Sequence, residues 1–129
     1  MEEIDFINKY LGVEWVNRGE DVNGIDCWGL VLASFREIDK RELPSVAGYA
    51  DINCSTEDAA KTVDMGLFSE SQPTNGAIMT ILNTKGDITH VGRCLAGRVI
   101  HATSALGVRL DTYQTINDKY RNVRYIKYD

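Results

Sequence analysis

The stretch at residues 24–31 reads GIDCWGLV and places an aspartate directly before a long apolar segment. Asp26 is a good N-cap residue, so the sequence predicts a helix that begins at Cys27 and ends near Ile38. Apolar side chains surround most of its axis: Trp28, Leu30, Val31, Leu32, Ala33, Phe35 and Ile38. A helix of this kind belongs in the interior, so we expect the rest of the domain to be built around it.

Cys27 falls in the first turn of this predicted helix. Unpaired backbone N–H groups and the helix dipole favour an anion there, so the position is expected to stabilise a thiolate and to offer donors to an oxyanion. Gly29 is expected to leave the turn open to a substrate. The alternative is that Cys27 is a small buried residue that begins a core helix, because free cysteine is among the most buried residue types.

The flanking segments divide into a helical half and a strand-rich half. Helical periodicity predicts a helix over residues 3–11 and a second one over 55–65, with a loop over 12–24 between the first helix and the central one. Short β-prone runs separated by turn residues follow at 77–82, 88–93, 98–102, 108–111 and 123–128. Helices followed by hairpins predict an α+β domain, with helices packed on an antiparallel sheet.

The chain has two histidines, and both lie in predicted strands. His90 and His101 can lie on neighbouring strands with their rings on one face of the sheet. Two imidazoles so placed can act as a general base and its orienting partner. Each histidine alone is typical of a half-buried structural residue. A zinc site of Cys27, His90 and His101 is a further alternative, although no short ligand spacing supports it.

Composition limits the classes of partner. The 129 residues are 43% hydrophobic and 26% charged, with a formal charge of −5 and no basic cluster, so we expect one domain over residues 1–129 and neither nucleic-acid nor membrane binding. The acidic start argues against a secretory signal, and the near-apolar run at 27–35 is too short to span a membrane. Cys54 and Cys94 are interpreted as incidental, and no motif indicates a cofactor.

Three segments in order, GIDCWGLV at 24–31, THVG at 89–92 and VIHA at 99–102, resemble the NlpC/P60 family of cysteine peptidases. The resemblance covers the chain from about Leu11 to its end, and the order argues against the permuted relatives. It implies a papain-like α+β fold with N-terminal helices packed on a C-terminal antiparallel sheet. It also implies that Cys27 is the nucleophile, that His90 is the general base and that His101 orients His90.

The same resemblance implies an endopeptidase that acts on peptidoglycan stem peptides, next to D-glutamate or diaminopimelate, without a cofactor or a metal. Asp26 then caps the helix and contacts a substrate amine. Trp15 stands where the family usually has a tyrosine whose hydroxyl faces the site, so it offers an N–H in place of an O–H. Trp28 replaces a serine and is expected to alter the neighbouring subsite.

The form DCWGLV, with tryptophan after the cysteine, most resembles the members found in phage tail tips and gene-transfer agents. This implies a virion component made in the bacterial cytoplasm, which contacts tail-tip proteins and opens the cell wall during genome entry. Two alternatives remain. One is a structural or interaction module of the tail tip with a vestigial or latent triad, whose groove Trp15 and Trp28 close. The other is a related thiol amidase or acyltransferase.

Overall fold

The computed structural model describes residues 1–43 and 68–128. The helices in these ranges are α1 (Glu3–Tyr10), α2 (Cys27–Ser34), a π-helical segment (Phe35–Asp39) and α3 (Tyr113–Lys119). The strands are β1 (Glu20–Asp21), β2 (Gly24–Ile25), β3 (Phe68–Ser71), β4 (Ile78–Leu82), β5 (Ile88–Leu95), β6 (Arg98–Thr103), β7 (Gly107–Thr112) and β8 (Val123–Tyr128). The helix predicted at 55–65 and Cys54 lie outside the described residues.

Six of the described strands form one antiparallel sheet in the order β3-β8-β4-β5-β6-β7. The central helix α2 packs on β5 and β6, and α3 packs on β6 and β7. This arrangement confirms the predicted α+β class, with N-terminal helices on a C-terminal antiparallel sheet. No helix in the described part of the chain is long and apolar enough to cross a membrane.

The central helix has the buried environment that its sequence predicts. Every residue of α2 is buried except Leu32, which is partly buried. Regular α-helix ends at Ser34, whose hydroxyl donates to the Val31 carbonyl at 2.6 Å. The chain then continues as the π-helical segment to Asp39 and stops at Lys40, which adopts a left-handed conformation with φ 58°. The predicted α-helix to Ile38 is therefore four residues too long, although the helical course of the chain is correct.

A buried arginine ties the π-helical segment to the sheet. Arg93 of β5 is 3% exposed, and its guanidinium lies 2.8 Å from Asp39 Oδ2 and 3.0 Å from Ser34 Oγ. Its Nε donates to the Gly76 carbonyl at 2.9 Å, and its charged carbon lies 3.6 Å from the ring centroid of Phe35. A buried charge needs such partners, because burial without them costs several kcal/mol.

Several boundaries differ from the sequence predictions. The five predicted strands are present, four of them with ends shifted by one or two residues, whereas β3 and the short pair β1–β2 were not predicted. Helix α3 was also missed because its sequence is polar and buries only Ile116, although Thr112 Oγ1 accepts a capping bond from the Thr115 N–H at 3.1 Å. In α1, Ile4 is 57% exposed, although it lies at helical spacing from the buried Ile7, three residues later.

Candidate active site

Asp26 holds the start of α2 in place. Its Oδ1 accepts a hydrogen bond from the Gly29 N–H at 2.7 Å, and its Oδ2 accepts one from the Arg18 N–H at 2.8 Å. This confirms the predicted N-cap. Both carboxylate oxygens accept hydrogen bonds from backbone N–H groups, and the residue is only 1% exposed. The expected contact between Asp26 and a substrate amine stays a prediction.

Gly29 has a different role from the one predicted. A Cβ at this position would lie 2.2 Å from the carbonyl oxygen of Gly19, closer than any real side-chain contact. The loop before β1 therefore covers the first turn of α2, and Gly29 permits that close approach. The expectation that Gly29 leaves the turn open to a substrate is wrong.

The thiol of Cys27 is shielded from solvent. Cys27 is 7% exposed, and burial together with the nearby Asp26 carboxylate raises the pKa of its thiol to about 11. Backbone N–H groups of Val91, Trp28 and Cys27 itself act in the opposite direction and do not outweigh burial. The helix start was expected to stabilise a thiolate; the structure instead holds a neutral thiol at pH 7, because desolvation exceeds the effect of the local donors.

His90 and His101 come together from neighbouring strands. Nε2 of His90 lies 2.8 Å from Nδ1 of His101, and the ring centroids are 5.1 Å apart at an interplanar angle of 70°. Gly92 makes this approach possible, since a Cβ there would lie 2.9 Å from the Cβ of His101. The two imidazoles thus share one face of the sheet, as strand alternation predicts for one of the two arrangements considered.

Asp111 extends the pair to a chain of three side chains. Its Oδ2 lies 2.7 Å from Nε2 of His101, and its Oδ1 lies 3.7 Å from Nη2 of Arg109. The β6–β7 register pairs His101 with Arg109 and Val99 with Asp111, so Asp111 is the diagonal neighbour of His101. Sequence reasoning missed Asp111. A register predicted from the turn between β6 and β7 would have placed Asp111 diagonally opposite His101.

Burial and nearby charges determine the protonation of Asp111, His101 and His90. Burial lowers the pKa of His90 to about 4, and the nearby His101 acts in the same direction. Burial also lowers the pKa of His101, and Asp111 opposes that effect only in part. Burial alone would raise the pKa of Asp111, but the hydrogen bond from His101 and the nearby Arg109 and Lys119 cations bring it below its usual value. Both histidines are therefore neutral at pH 7, and Asp111 is a carboxylate.

Cys27 lies beside the hydrogen-bonded series of Asp111, His101 and His90 and is not part of it. Strands β5 and β6 pair from Arg93↔Ile100 onward, and Val91 lies before the first of these pairs. The backbone N–H of Val91 donates a hydrogen bond to the sulfur of Cys27. Val91 is the residue after His90, which brings the thiol to the same part of β5. Among the described residues, the hydrogen bonds include none between Cys27 Sγ and either imidazole.

Tyr120 is a second site residue that sequence reasoning missed. Its ring centroid lies 6.0 Å from that of His90 and 6.4 Å from that of His101. It follows α3, the helix that was not predicted, so no sequence signal placed it near the histidines. The ring is partly buried and covers both imidazoles on the side of α3.

The two tryptophans differ in their exposure. Trp28 is 3% exposed and packs in a core cluster with Val31, Phe35 and Ile78, and its expected effect on a substrate subsite stays a prediction. Trp15 is partly exposed and forms a parallel bridge with Ile25, which immediately precedes Asp26. Its predicted contact with substrate stays a prediction.

A metal centre has no support in the described ranges. Within residues 1–43 and 68–128, no three His, Cys, Asp or Glu side chains are arranged to hold an ion. The histidine nitrogens that face each other at 2.8 Å are engaged in a hydrogen bond, which leaves no room for a cation between them.

Comparison with solved structures finds the same fold in several proteins. The NlpC/p60 domain of the peptidoglycan hydrolase SagA is 17% identical with a TM-score of 0.62, covering 98% of this chain and 96% of that domain. A Staphylococcus aureus protein described as similar to a lipoprotein of the NLP/P60 family is 20% identical with a TM-score of 0.61, and NlpC1 from Trichomonas vaginalis is 20% identical with a TM-score of 0.64. The alignments cover 98% of this chain but 41% and 42% of those two longer chains.

Comparison with curated proteins finds no match. The sequence description of the NlpC/P60 family matches residues 12–128, which include the whole of α2 and the main sheet. The family description and the shared fold agree with each other and with the three motifs around Cys27, His90 and His101. This chain belongs to the NlpC/P60 family.

Proposed function

We propose that this protein is a cysteine endopeptidase that hydrolyses peptidoglycan stem peptides, with Cys27 as nucleophile and His90 as general base. The observation that carries the proposal is the hydrogen-bonded series from Asp111 through His101 to His90, beside a cysteine at the start of α2. A base whose second nitrogen is held by an oriented partner is the arrangement that nucleophilic catalysis by a weakly acidic group requires.

The ground state in this mechanism is a neutral thiol next to a neutral imidazole. His90 accepts the thiol proton at Nδ1 while the sulfur attacks the peptide carbonyl carbon, so no free thiolate accumulates. Hydrogen bonds between nucleophile and base are often long or misaligned in free enzymes and tighten with substrate. A small movement of Cys27 toward His90 on substrate binding is therefore part of the proposal.

The tetrahedral intermediate places its oxyanion at the start of α2. The backbone N–H groups of Cys27 and Trp28 already lie near the sulfur and are suited to donate to that oxygen. The His90 imidazolium then donates its proton to the leaving amine and the C–N bond breaks, which leaves a thioester on Cys27. Water, deprotonated by His90, attacks the thioester and releases the new carboxylate and the thiol.

The substrate class rests on family membership and on SagA, a structural neighbour described as a peptidoglycan hydrolase. The biological setting rests on the DCWGLV motif alone. We propose that the protein is a phage tail component that contacts tail-tip proteins and acts in the periplasm or cell wall. Detection of the chain by mass spectrometry in purified phage particles tests this setting separately from the activity.

A second candidate function has its own supporting observation. Cys27 is 7% exposed, and the hydrogen bonds of the described residues do not join it to either ring. Such a site suits a tail-tip interaction module whose triad is latent, and activity then appears only when a partner opens the site. A thiol amidase or acyltransferase would use the same residues on a different acyl donor.

The deciding experiment incubates the purified protein with isolated peptidoglycan and follows the release of new amino groups, with mass spectrometry of the fragments. Wild type and Cys94→Ala, which removes a buried thiol of β5 away from the site, are expected to release amines. Cys27→Ala is expected to release none. Equal release by Cys27→Ala would refute the peptidase, and a folded but inert wild type would favour the latent module. Cleavage at an amide bond outside the stem peptide, or an acyl-transfer product, would favour the amidase or acyltransferase.

A further inference from the structure

We infer that Asp111 is a positioning residue that acts through His101 to keep the ring proton of His90 on Nε2, which leaves Nδ1 free to accept the thiol proton of Cys27. The inference rests on the proposed function for its catalytic meaning, but its structural content concerns only where two protons lie. It goes beyond a cysteine and two histidines, because it makes a fourth residue decide whether the base can work.

The proton positions follow from the donor and acceptor roles along the series. The Asp111 carboxylate only accepts, so Nε2 of His101, 2.7 Å away, carries a proton and donates it. A neutral imidazole has one N–H, so Nδ1 of His101 is an acceptor. Nε2 of His90, 2.8 Å from it, must then donate, and Nδ1 of His90 is left as the unprotonated nitrogen.

The neutrality of both rings is what makes this series unambiguous. A doubly protonated His101 would instead donate from Nδ1, so Nε2 of His90 would have to accept and the His90 proton would lie on Nδ1. Burial lowers the pKa of each histidine, and the groups that face them do not reverse this: Asp111 opposes it at His101, while Lys119 and Arg109 reinforce it. Tyr120, whose ring lies against both, also remains neutral because burial raises the pKa of its hydroxyl.

Arg109 makes the role of Asp111 testable with a substitution of the same shape. The guanidinium only donates, and its Nη2 lies 3.7 Å from Oδ1 of Asp111. In Asp111→Asn the amide oxygen is expected to face Arg109, so the amide NH₂ faces His101. Nε2 of His101 then accepts, the ring protons move to Nδ1 of both histidines, and His90 has an N–H at Nδ1 instead of a lone pair that could accept the thiol proton.

A purely structural role for Asp111 predicts something different. Asp111 is buried in β7 and pairs with Val99, so it could simply hold the edge strand against β6. In that case Asp111→Asn, which preserves shape and hydrogen-bonding capacity, leaves both tautomers unchanged. His90 is linked to Asp111 through His101. A change in the tautomer of His90 in Asp111→Asn therefore distinguishes the positioning role from the purely structural one.

The experiment records long-range ¹H–¹⁵N spectra of the ¹⁵N-histidine-labelled protein at pH 7, where the two histidines of the chain make assignment direct. Wild type is expected to show two neutral rings, both protonated on Nε2. Asp111→Asn is expected to show both protonated on Nδ1. The matched control, Asp39→Asn, loses a carboxylate bonded to Arg93 and to neither histidine, and it is expected to keep the wild-type pattern.

The kinetic arm uses the peptidoglycan assay. Asp111→Asn is expected to lower kcat by roughly 10²–10⁴-fold, the usual contribution of a general base, with KM little changed. An Nδ1 proton on either histidine of wild type, or unchanged tautomers in Asp111→Asn, would overturn the inference. If Asp111→Asn does not fold, the wild-type spectrum alone decides. Correct wild-type tautomers in an inactive protein would count against the proposed function and leave the inference standing.

Discussion

His90 reaches His101 across two strands that are no longer paired at that point, with 2.8 Å between Nε2 of the first ring and Nδ1 of the second. The contact joins a half-buried residue to a fully buried one. Because His101 is in turn bonded to the Asp111 carboxylate, the partly exposed ring is oriented from the interior of the sheet. The orientation of His90 is thus determined by buried residues that substrate cannot reach.

The first prediction concerns the pH dependence of kcat/KM, which reports the ionisations of the free enzyme. Burial lowers the pKa of His90 to about 4 and raises that of Cys27 to about 11. The active form needs a neutral imidazole and a protonated thiol, so activity is expected to be flat from pH 6 to 9. It falls at low pH as His90 becomes protonated and at high pH as Cys27 loses its proton.

The acid limb decides this prediction, and circular dichroism at each pH shows whether the protein is still folded there. A midpoint near 6.5, the ordinary value for histidine, would contradict the buried, neutral His90 described above. An inactive protein would leave the alkylation rate of Cys27 as the measured quantity, and it is expected to rise toward pH 11 without an inflection near neutrality.

The parts of the site that depend on local pattern could be read from the sequence. Asp26 before an apolar run predicts the capped helix, and alternation along two strands predicts that His90 and His101 share a face. The strands themselves were found because turn residues separate them. These features need only a few consecutive residues, so no knowledge of the tertiary structure is required.

The parts that depend on register or depth could not be read in this way. Asp111 meets His101 only because the β6–β7 turn sets one register out of several. The ionisation of Cys27 was predicted wrongly, since the favourable helix start is local whereas the burial that outweighs it is tertiary. Trp28 likewise has the same sequence context whether it lines a groove or fills the core, and the packing of α2 on the sheet decides for the core.

The second prediction concerns folding stability and pH. The pKa of His90 is about 4 in the folded chain and near 6.5 when unfolded, so the unfolded state binds more protons between these values. The contribution of the neutral His90 to the free energy of unfolding is therefore fully present above pH 6.5 and is lost as the pH falls toward 4. Between pH 7 and 5 the loss due to this one histidine is about 2 kcal/mol. His101 contributes a loss of the same sign.

Urea unfolding of wild type and His90→Asn at pH 7 and at pH 5 measures this contribution. The lowered pKa values of Asp111 and Glu37 affect stability mainly below this window, so they do not obscure the result. The variant is expected to lose about 2 kcal/mol less than wild type on acidification. An equal loss in both proteins would show that His90 titrates alike in the folded and unfolded states.

The third prediction concerns Gly29→Ala in the first turn of α2. Helix propensity alone would make this change stabilising by up to about 1 kcal/mol. The new Cβ would, however, lie 2.2 Å from the backbone oxygen of Gly19 and 3.1 Å from Oδ1 of Asp26, which caps the helix. The variant is expected to be destabilised by roughly 1–3 kcal/mol and to lose activity, because the loop and the cap must both move.

Thermal unfolding with the amine-release assay tests this change. A rise in Tm would contradict the close approach of Gly19 to α2. Loss of activity with an unchanged Tm would restore the earlier interpretation, in which Gly29 keeps the first turn open to substrate.

The fourth prediction concerns Arg93→Met, which removes a buried cation and leaves its partners behind. Asp39 and Ser34 lose a charge-assisted donor, and the Gly76 carbonyl loses the Arg93 Nε–H. Because Asp39 is still partly exposed, water recovers some of that loss, and we expect a destabilisation of about 2–4 kcal/mol.

The matched control is Arg124→Met, whose ion pair with Glu70 spans 3.9 Å between two exposed side chains and contributes at most about 1 kcal/mol. Urea unfolding of both variants gives the comparison, and equal destabilisation would show that the buried arginine does not tie the π-helical segment to β5.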